Sequence, residues 1–163
     1  MIIPYKKSQI VGQVFIYIFA IIVVGFLALI GANLFKKITI EKCNIQETSF
    51  ISNINKYIDI YSDYGSVHKE ILQAPCNSKE ICFVSTNKIG ANGIIPNQYP
   101  IIKDSVEDGV QMNIFLVTSK ETKPLAYSEK LEVDNGFLCI SVGRGLKLTF
   151  TGNGQTTIVS ETT

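Results

Sequence analysis

The chain is poor in the residues that most chemistry needs. It has no tryptophan, one histidine (His68), one arginine (Arg144) and two methionines in 163 residues. Charged side chains make up 18% of it, against about 25% in an ordinary soluble domain. Between Ser8 and Phe35 there is no charged residue at all. Lys6 and Lys7 aside, 13 basic and 14 acidic residues lie beyond that stretch, a net charge of −1. A near-neutral domain excludes a nucleic-acid partner, because neutralising phosphates takes clustered Lys and Arg. No phosphate-cradling loop, hydrolase elbow or metalloprotease helix is present. The Gly143–Gly145 and Gly152–Gly154 pairs lead into no helix and read as turns. His68 beside Val67 reads as a surface strand residue, and Glu107-Asp108, Glu129, Glu132 and Asp134 as solvated carboxylates in polar connections. No Asn-x-Ser/Thr acceptor occurs. The expectation is a protein that is not an enzyme and holds no cofactor or metal.

What the chain does have is one long apolar run, SQIVGQVFIYIFAIIVVGFLALIGANLF. As a helix it would be ~42 Å long, more than the ~30 Å hydrocarbon core of a bilayer. A cleaved secretory signal has a shorter apolar core, about 7–15 residues, with small residues at its end; here Lys36-Lys37 follows. The run therefore predicts a single spanning helix over 9–35, after a short inner tail of 1–8, with the lipid bilayer as partner. Lys6-Lys7 on one side balance Lys36-Lys37 on the other, so the positive-inside count is tied. All four cysteines, Cys43, Cys76, Cys82 and Cys139, follow the span. An even number in a β-rich domain suits an oxidising exterior. The predicted topology is a cell-membrane protein with its N-terminus inside and its C-terminal domain outside.

Small residues recur along the span at Ala20, Gly25, Ala28, Gly31 and Ala32, and small residues let helix backbones approach closely in lipid. Gln9, Gln13 and Tyr17 are spaced by four and share a face near the inner interface. The candidate assembly face for self-association is therefore Gln9, Gln13, Gly25, Ala28 and Ala32.

Beyond the span, Phe50, Ile51, Ile54, Ile58 and Tyr61 recur at the helical period and predict an amphipathic helix from about Gln46 to Ser62. The membrane-proximal helical region is set at 36–65 and the β-rich exterior domain at 66–163. Strands are predicted at Val67–Leu72, Glu80–Ser85, Gln111–Thr118, around Glu132–Asp134, Phe137–Val142, Leu146–Thr151 and Gln155–Ser160. The last three read as a meander, with a hairpin at Gly143-Arg144-Gly145 and a turn at Gly152-Asn153-Gly154. The segment 86–110 shows no sustained period and is too long for an ordinary connection. It reads as a surface-packed or partner-binding loop whose Ile94-Ile95 and Ile101-Ile102 clip onto the core or onto a neighbour. The fold class is α+β: a long N-terminal transmembrane helix, then an amphipathic helix packed on a mainly antiparallel sheet or small sandwich.

Cys76 and Cys82 bracket five residues ahead of strand-like Phe83-Val84 and read as a disulfide closing a hairpin end. Cys43 would then pair with Cys139 by elimination. Four cysteines allow three pairings, and spacing does not choose among them. Zinc ligation fits poorly, since zinc-binding cysteines come in pairs two to four residues apart.

The opening, Lys6-Lys7 and then an unbroken apolar helix, resembles an archaeal type IV pilin-like precursor. Cleavage between Ser8 and Gln9 would leave QIVGQVF as the mature start, with Gln13 fifth and Phe15 seventh. That is similar to the Gln-x-x-x-Glu-Phe opening of such pilins, with Ser8 where Gly or Ala is usual and Gln13 where Glu is usual. The resemblance implies a fifth-position side chain that meets the neighbour's new amino terminus during filament assembly. The runs Tyr64-Gly65-Ser66-Val67, Pro75-Cys76 and Ile81-Cys82-Phe83-Val84 look similar to small anchored exterior domains of archaeal proteins. The functional expectation is a pilin-like structural subunit assembling through its N-terminal helix. The alternative is a monomeric anchored surface module contacting an extracellular protein partner through 86–110.

Overall fold

The structure is a computed structural model that describes residues 8–143 and 145–162, with side chains from Val14 to Gly31 and from Glu41 onward. The architecture is α+β. A helix, α1 (Ser8–Ile60), precedes eight strands: β1 (Val67–Leu72), β2 (Ser78–Val84), β3 (Ile114–Thr118), β4 (Thr122–Ala126), β5 (Leu131–Glu132), β6 (Phe137–Ser141), β7 (Leu146–Gly152) and β8 (Thr157–Glu161). A 3-10 turn (Thr86–Lys88) and a second α-helix, α2 (Pro100–Glu107), lie between β2 and β3.

The sequence predicts two helices here, and the structure has one of 53 residues. The joining stretch, KKITIEKCNI, holds neither Pro nor Gly, so nothing removes a backbone donor or offers a left-handed stop. The chain divides into two compact units at Lys42/Cys43, inside this helix.

In the second unit the strands form two sheets, ordered β1-β7-β8-β5 and β4-β3-β2-β6. Every pairing is antiparallel except β5 with β8. The β4-β3-β2-β6 sheet is covered on both faces, and strand alternation sorts the side chains of β2, β3 and β6 between them, while a bulge in β4 puts both Leu125 and Ala126 on one side. Ile81, Phe83, Ile114, Leu116 and Ile140 enter one core, together with Leu146, Leu148, Phe150 and Val159 of the other sheet. Phe50, Ile54 and Ile58 from the end of α1 are buried in that same cluster. Cys82, Val84 and Phe115 enter a second core, with Ile95, Ile102 and Val106. Near-continuous apolar runs such as Ile81–Val84 follow from this double burial, since a strand with one wet face would alternate. Each fully buried Ile, Leu or Phe contributes roughly 1.5–3 kcal/mol.

The second core explains the segment 86–110. It is not a plain loop. Pro100 starts α2, where a missing N–H costs nothing. Ile102 and Val106, four apart, turn inward and are fully buried, with Ile95 beside them. Tyr99 and Ile94 pack at the margin of this cluster.

Two further expectations are corrected. The hairpin between Phe137–Val142 and Leu146–Thr151 does not form: β6 pairs with β2, β7 pairs with β1, and the connection through Gly143 and Gly145 passes from one sheet to the other. Alternation in both runs is genuine, but it reports burial and does not name the partner strand. The turn Gly152-Asn153-Gly154 does join the antiparallel pair β7–β8. The unpredicted strand is β4, TKPLA, whose Pro124 argues against a strand except at a sheet edge, where β4 lies.

The end of α1 is stitched to the β7–β8 turn. Gly154 N–H donates to the Ser62 carbonyl, Gly65 N–H to Gly152 and Gly152 N–H to Ser66. The Thr157 hydroxyl donates to the Ile58 carbonyl (2.6 Å), and the Ser66 hydroxyl to that of Tyr61 (2.7 Å). A side chain at Gly152 would meet the carbonyl oxygens of Asp63 and Tyr61, so only glycine fits there.

Candidate functional site

The first candidate is the helix surface itself. Val14–Gly31 has a mean hydropathy of 2.9, and none of it is buried by other parts of the protein. Phe15, Ile21 and Leu29 are about 70% exposed. Such a surface costs free energy in water in proportion to its apolar area. It is long and apolar enough to cross a membrane, and a signal sequence meets the same criterion. Of the predicted assembly face, Gly25 and Ala28 are on the described, exposed part, and a Cβ at Gly25 would meet nothing. The side chains of Gln9, Gln13 and Ala32 lie outside the described residues.

The disulfides come next. All four cysteines are paired, but as Cys43–Cys76 and Cys82–Cys139, not as Cys76–Cys82 and Cys43–Cys139. The reason is extension. Asn77, with φ 61°, turns the chain after Cys76, and Cys82 then lies about 13 Å along β2 from Ser78, whereas bonded cysteines have Cα atoms some 4.4–6.8 Å apart. Cys139 instead sits directly across from Cys82 in the β2–β6 ladder. Cys76 reaches α1, where its Cα is 5.2 Å from that of Cys43. Disulfides of this kind fit an oxidising compartment.

Beside Cys43–Cys76 opens a cleft of about 460 Å³, lined by Glu47, Leu116, Lys120 and Lys123 among others. Within it the Lys123 ammonium donates to the Glu47 carboxylate at 2.6 Å. The two sulfurs are bonded to each other and Lys123 is held by Glu47, so the disulfide and this ion pair clasp α1 to the strands. Elsewhere Glu80, Cys82 and Cys139 come close enough to suggest a ligand set. The sulfurs are spent in their own bond, and the Glu80 carboxylate accepts from the Tyr99 hydroxyl (2.8 Å). A metal would need thiolates there.

The chain matches no protein-family model, no curated protein and no solved structure.

Other polar groups that could suggest chemistry are held in structural contacts. His68 is exposed on β1 and stacks on Tyr61 with ring centroids 4.0 Å apart, as a surface strand residue. The Tyr61 hydroxyl donates to Glu70 (2.8 Å), and that bond to a carboxylate raises its pKa above the usual tyrosine value. Tyr99 is raised as well, first by burial and then by its bond to Glu80. Fully buried Asn113 ties three segments: its amide donates to the Thr86 hydroxyl (2.9 Å) and the Ser128 carbonyl (2.7 Å), and its oxygen accepts from Ser128 N–H (2.9 Å). Sequence patterns gave no sign of these pairings. Asn113 sits immediately before β3, and a buried amide needs partners.

Proposed function

We propose that this is a single-pass, membrane-anchored structural subunit, pilin-like, which assembles with copies of itself through its N-terminal helix and carries its β-rich unit outside the cell. One observation carries the reading: an unbroken helix whose Val14–Gly31 stretch is wholly apolar and unburied continues past Lys42 to Ile60. In lipid that stretch is satisfied, whereas in water it is not. The two disulfides support an exterior site for the strands. In this reading the end of α1, with Phe50, Ile54 and Ile58, is the helix packed on the sheets of the exterior head, and Gly25 and Ala28 belong to the face where neighbouring spans meet.

The alternative, a monomeric anchored module using 86–110, would have to work with what that segment leaves exposed: the apolar Ile101 and Val110 and polar residues such as Asn87, Asn97, Gln98 and Asp104. The test is fractionation with N-terminal sequencing of the native protein and electron microscopy of shed material. Recovery in the membrane fraction, a mature start at Gln9 and filaments containing the chain are expected. A protein that stays dissolved without detergent, or that never leaves the membrane as filaments, overturns the reading.

A further inference from the structure

Each sheet has two outer strands, and outer strands are hazards because their outward N–H and C=O groups can recruit another chain. Three of the four here carry a guard. β1 has exposed Lys69 at its middle, β4 has Lys123-Pro124, and β5 is two residues long. The fourth, β6, reads Phe-Leu-Cys-Ile-Ser, with no charge, no proline and no break in its ladder to β2.

Bonds just beyond the ladder fix which way its backbone faces. Val142 N–H donates to the Lys79 carbonyl, and the Gly136 carbonyl accepts from Ser85 N–H. Even-numbered residues of this strand therefore bond to β2, and the main-chain groups of Phe137, Cys139 and Ser141 point away from it. Among the described residues, no backbone hydrogen bond reaches those outward groups. Phe137, Leu138 and Cys139 are only partly buried, Ser141 is exposed, and a small cleft opens beside Phe137 and Leu138 toward Val159, Ser160 and Glu161.

We propose that β6 is a pairing edge for a second copy of this chain, joined antiparallel about a two-fold axis through Cys139 to make one continuous eight-stranded sheet. The strand is complementary to itself in that register. Cys139 bonds its counterpart through both main-chain groups, and Phe137 bonds Ser141 of the second copy. On the inter-sheet face Leu138 lies against Ile140 of the second copy, apolar on apolar. No like charges meet. Short, uncharged and fully alternating, the edge has what an isologous contact requires: one patch that fits itself.

The test uses the full chain in detergent micelles or nanodiscs. Between dilute and concentrated samples, amide exchange at Cys139 and Ser141 should slow about tenfold or more, while Leu138 and Ile140, already bonded to β2, change little. Ser141→Pro removes an outward donor without touching the β2 ladder and should abolish the concentration-dependent protection of the Cys139 amide with the melting temperature retained. Unprotected Cys139 and Ser141 amides at high concentration, or protection of Cys139 that survives Ser141→Pro, overturns the proposal. Association through spanning helices alone leaves both amides unprotected, so the two contacts are told apart. If Ser141→Pro fails to fold, exchange in the unmodified protein still decides.

Discussion

Cys82 and Cys139 stand opposite one another at the centre of the β2–β6 ladder, Cys82 fully buried and Cys139 partly buried at the margin of the core that α2 covers. Cys43 and Cys76, by contrast, are half-exposed beside an open cleft. Attack by a thiolate needs access to sulfur, so the two bonds should part at different stages of reduction. Under graded dithiol followed by alkylation and peptide mass spectrometry, Cys43 and Cys76 should be labelled first. Replacing that pair by serine, with its separation of 33 residues, should cost about 3–4 kcal/mol by the loop-entropy estimate, read from denaturant melts.

Segment 86–110 should behave as core. Ile102→Ala should destabilise by about 2–5 kcal/mol, and Ile101→Ala by less than about 0.5 kcal/mol. Urea unfolding of both variants checks this; equal, small effects would contradict inward packing of α2.

Gly152→Ala should lose about 2–3 kcal/mol, because the added methyl is driven against main-chain carbonyls that cannot swing aside. Gly25→Ala, where a Cβ meets nothing, should leave the unfolding of the strands unchanged.

Tyr61 and Tyr99 should titrate above the ordinary tyrosine range. Their folded pKa values lie above the ordinary value of about 10. The stability they contribute is therefore fully present below pH of about 10 and is lost as pH rises through the folded values. Ultraviolet titration of phenolate should show a late fraction, and Glu70→Gln should move Tyr61 back toward the ordinary range, since its bond to that carboxylate is the largest cause.

Much of this was legible in the chain. β1 matches its predicted span at both ends, since VHKEIL is bounded by Gly65-Ser66 on one side and Pro75 downstream. The apolar helix was plain from 28 uncharged residues. What stayed hidden is what depends on partners. Alternation in Phe137–Val142 and Leu146–Thr151 marked strands but not their assignment to different sheets. Cysteine spacing could not reveal that Cys82 faces a residue 57 positions away. α2 was concealed by its length, eight residues, too short for a period to show, although Pro100 and the Ile102/Val106 spacing were there to be read. Of the candidate site, the proposed assembly face rests on the composition and spacing of the span alone. The β6 edge could not be seen at all, because an edge exists only once the other strands have taken their places.

The stitching of Ile58, Ser62 and Ser66 to Gly152, Gly154 and Thr157 has a consequence for biogenesis. The first parts of the head to be synthesised, the end of α1 and β1, find their partners in β7 and β8, made last, with Val67 across from Thr151. Nearly all of the chain must therefore be made before this unit can close. Until then Phe50, Ile54 and Ile58 lack the core that buries them, and a ribosome stalled short of β7 leaves this unit unfolded.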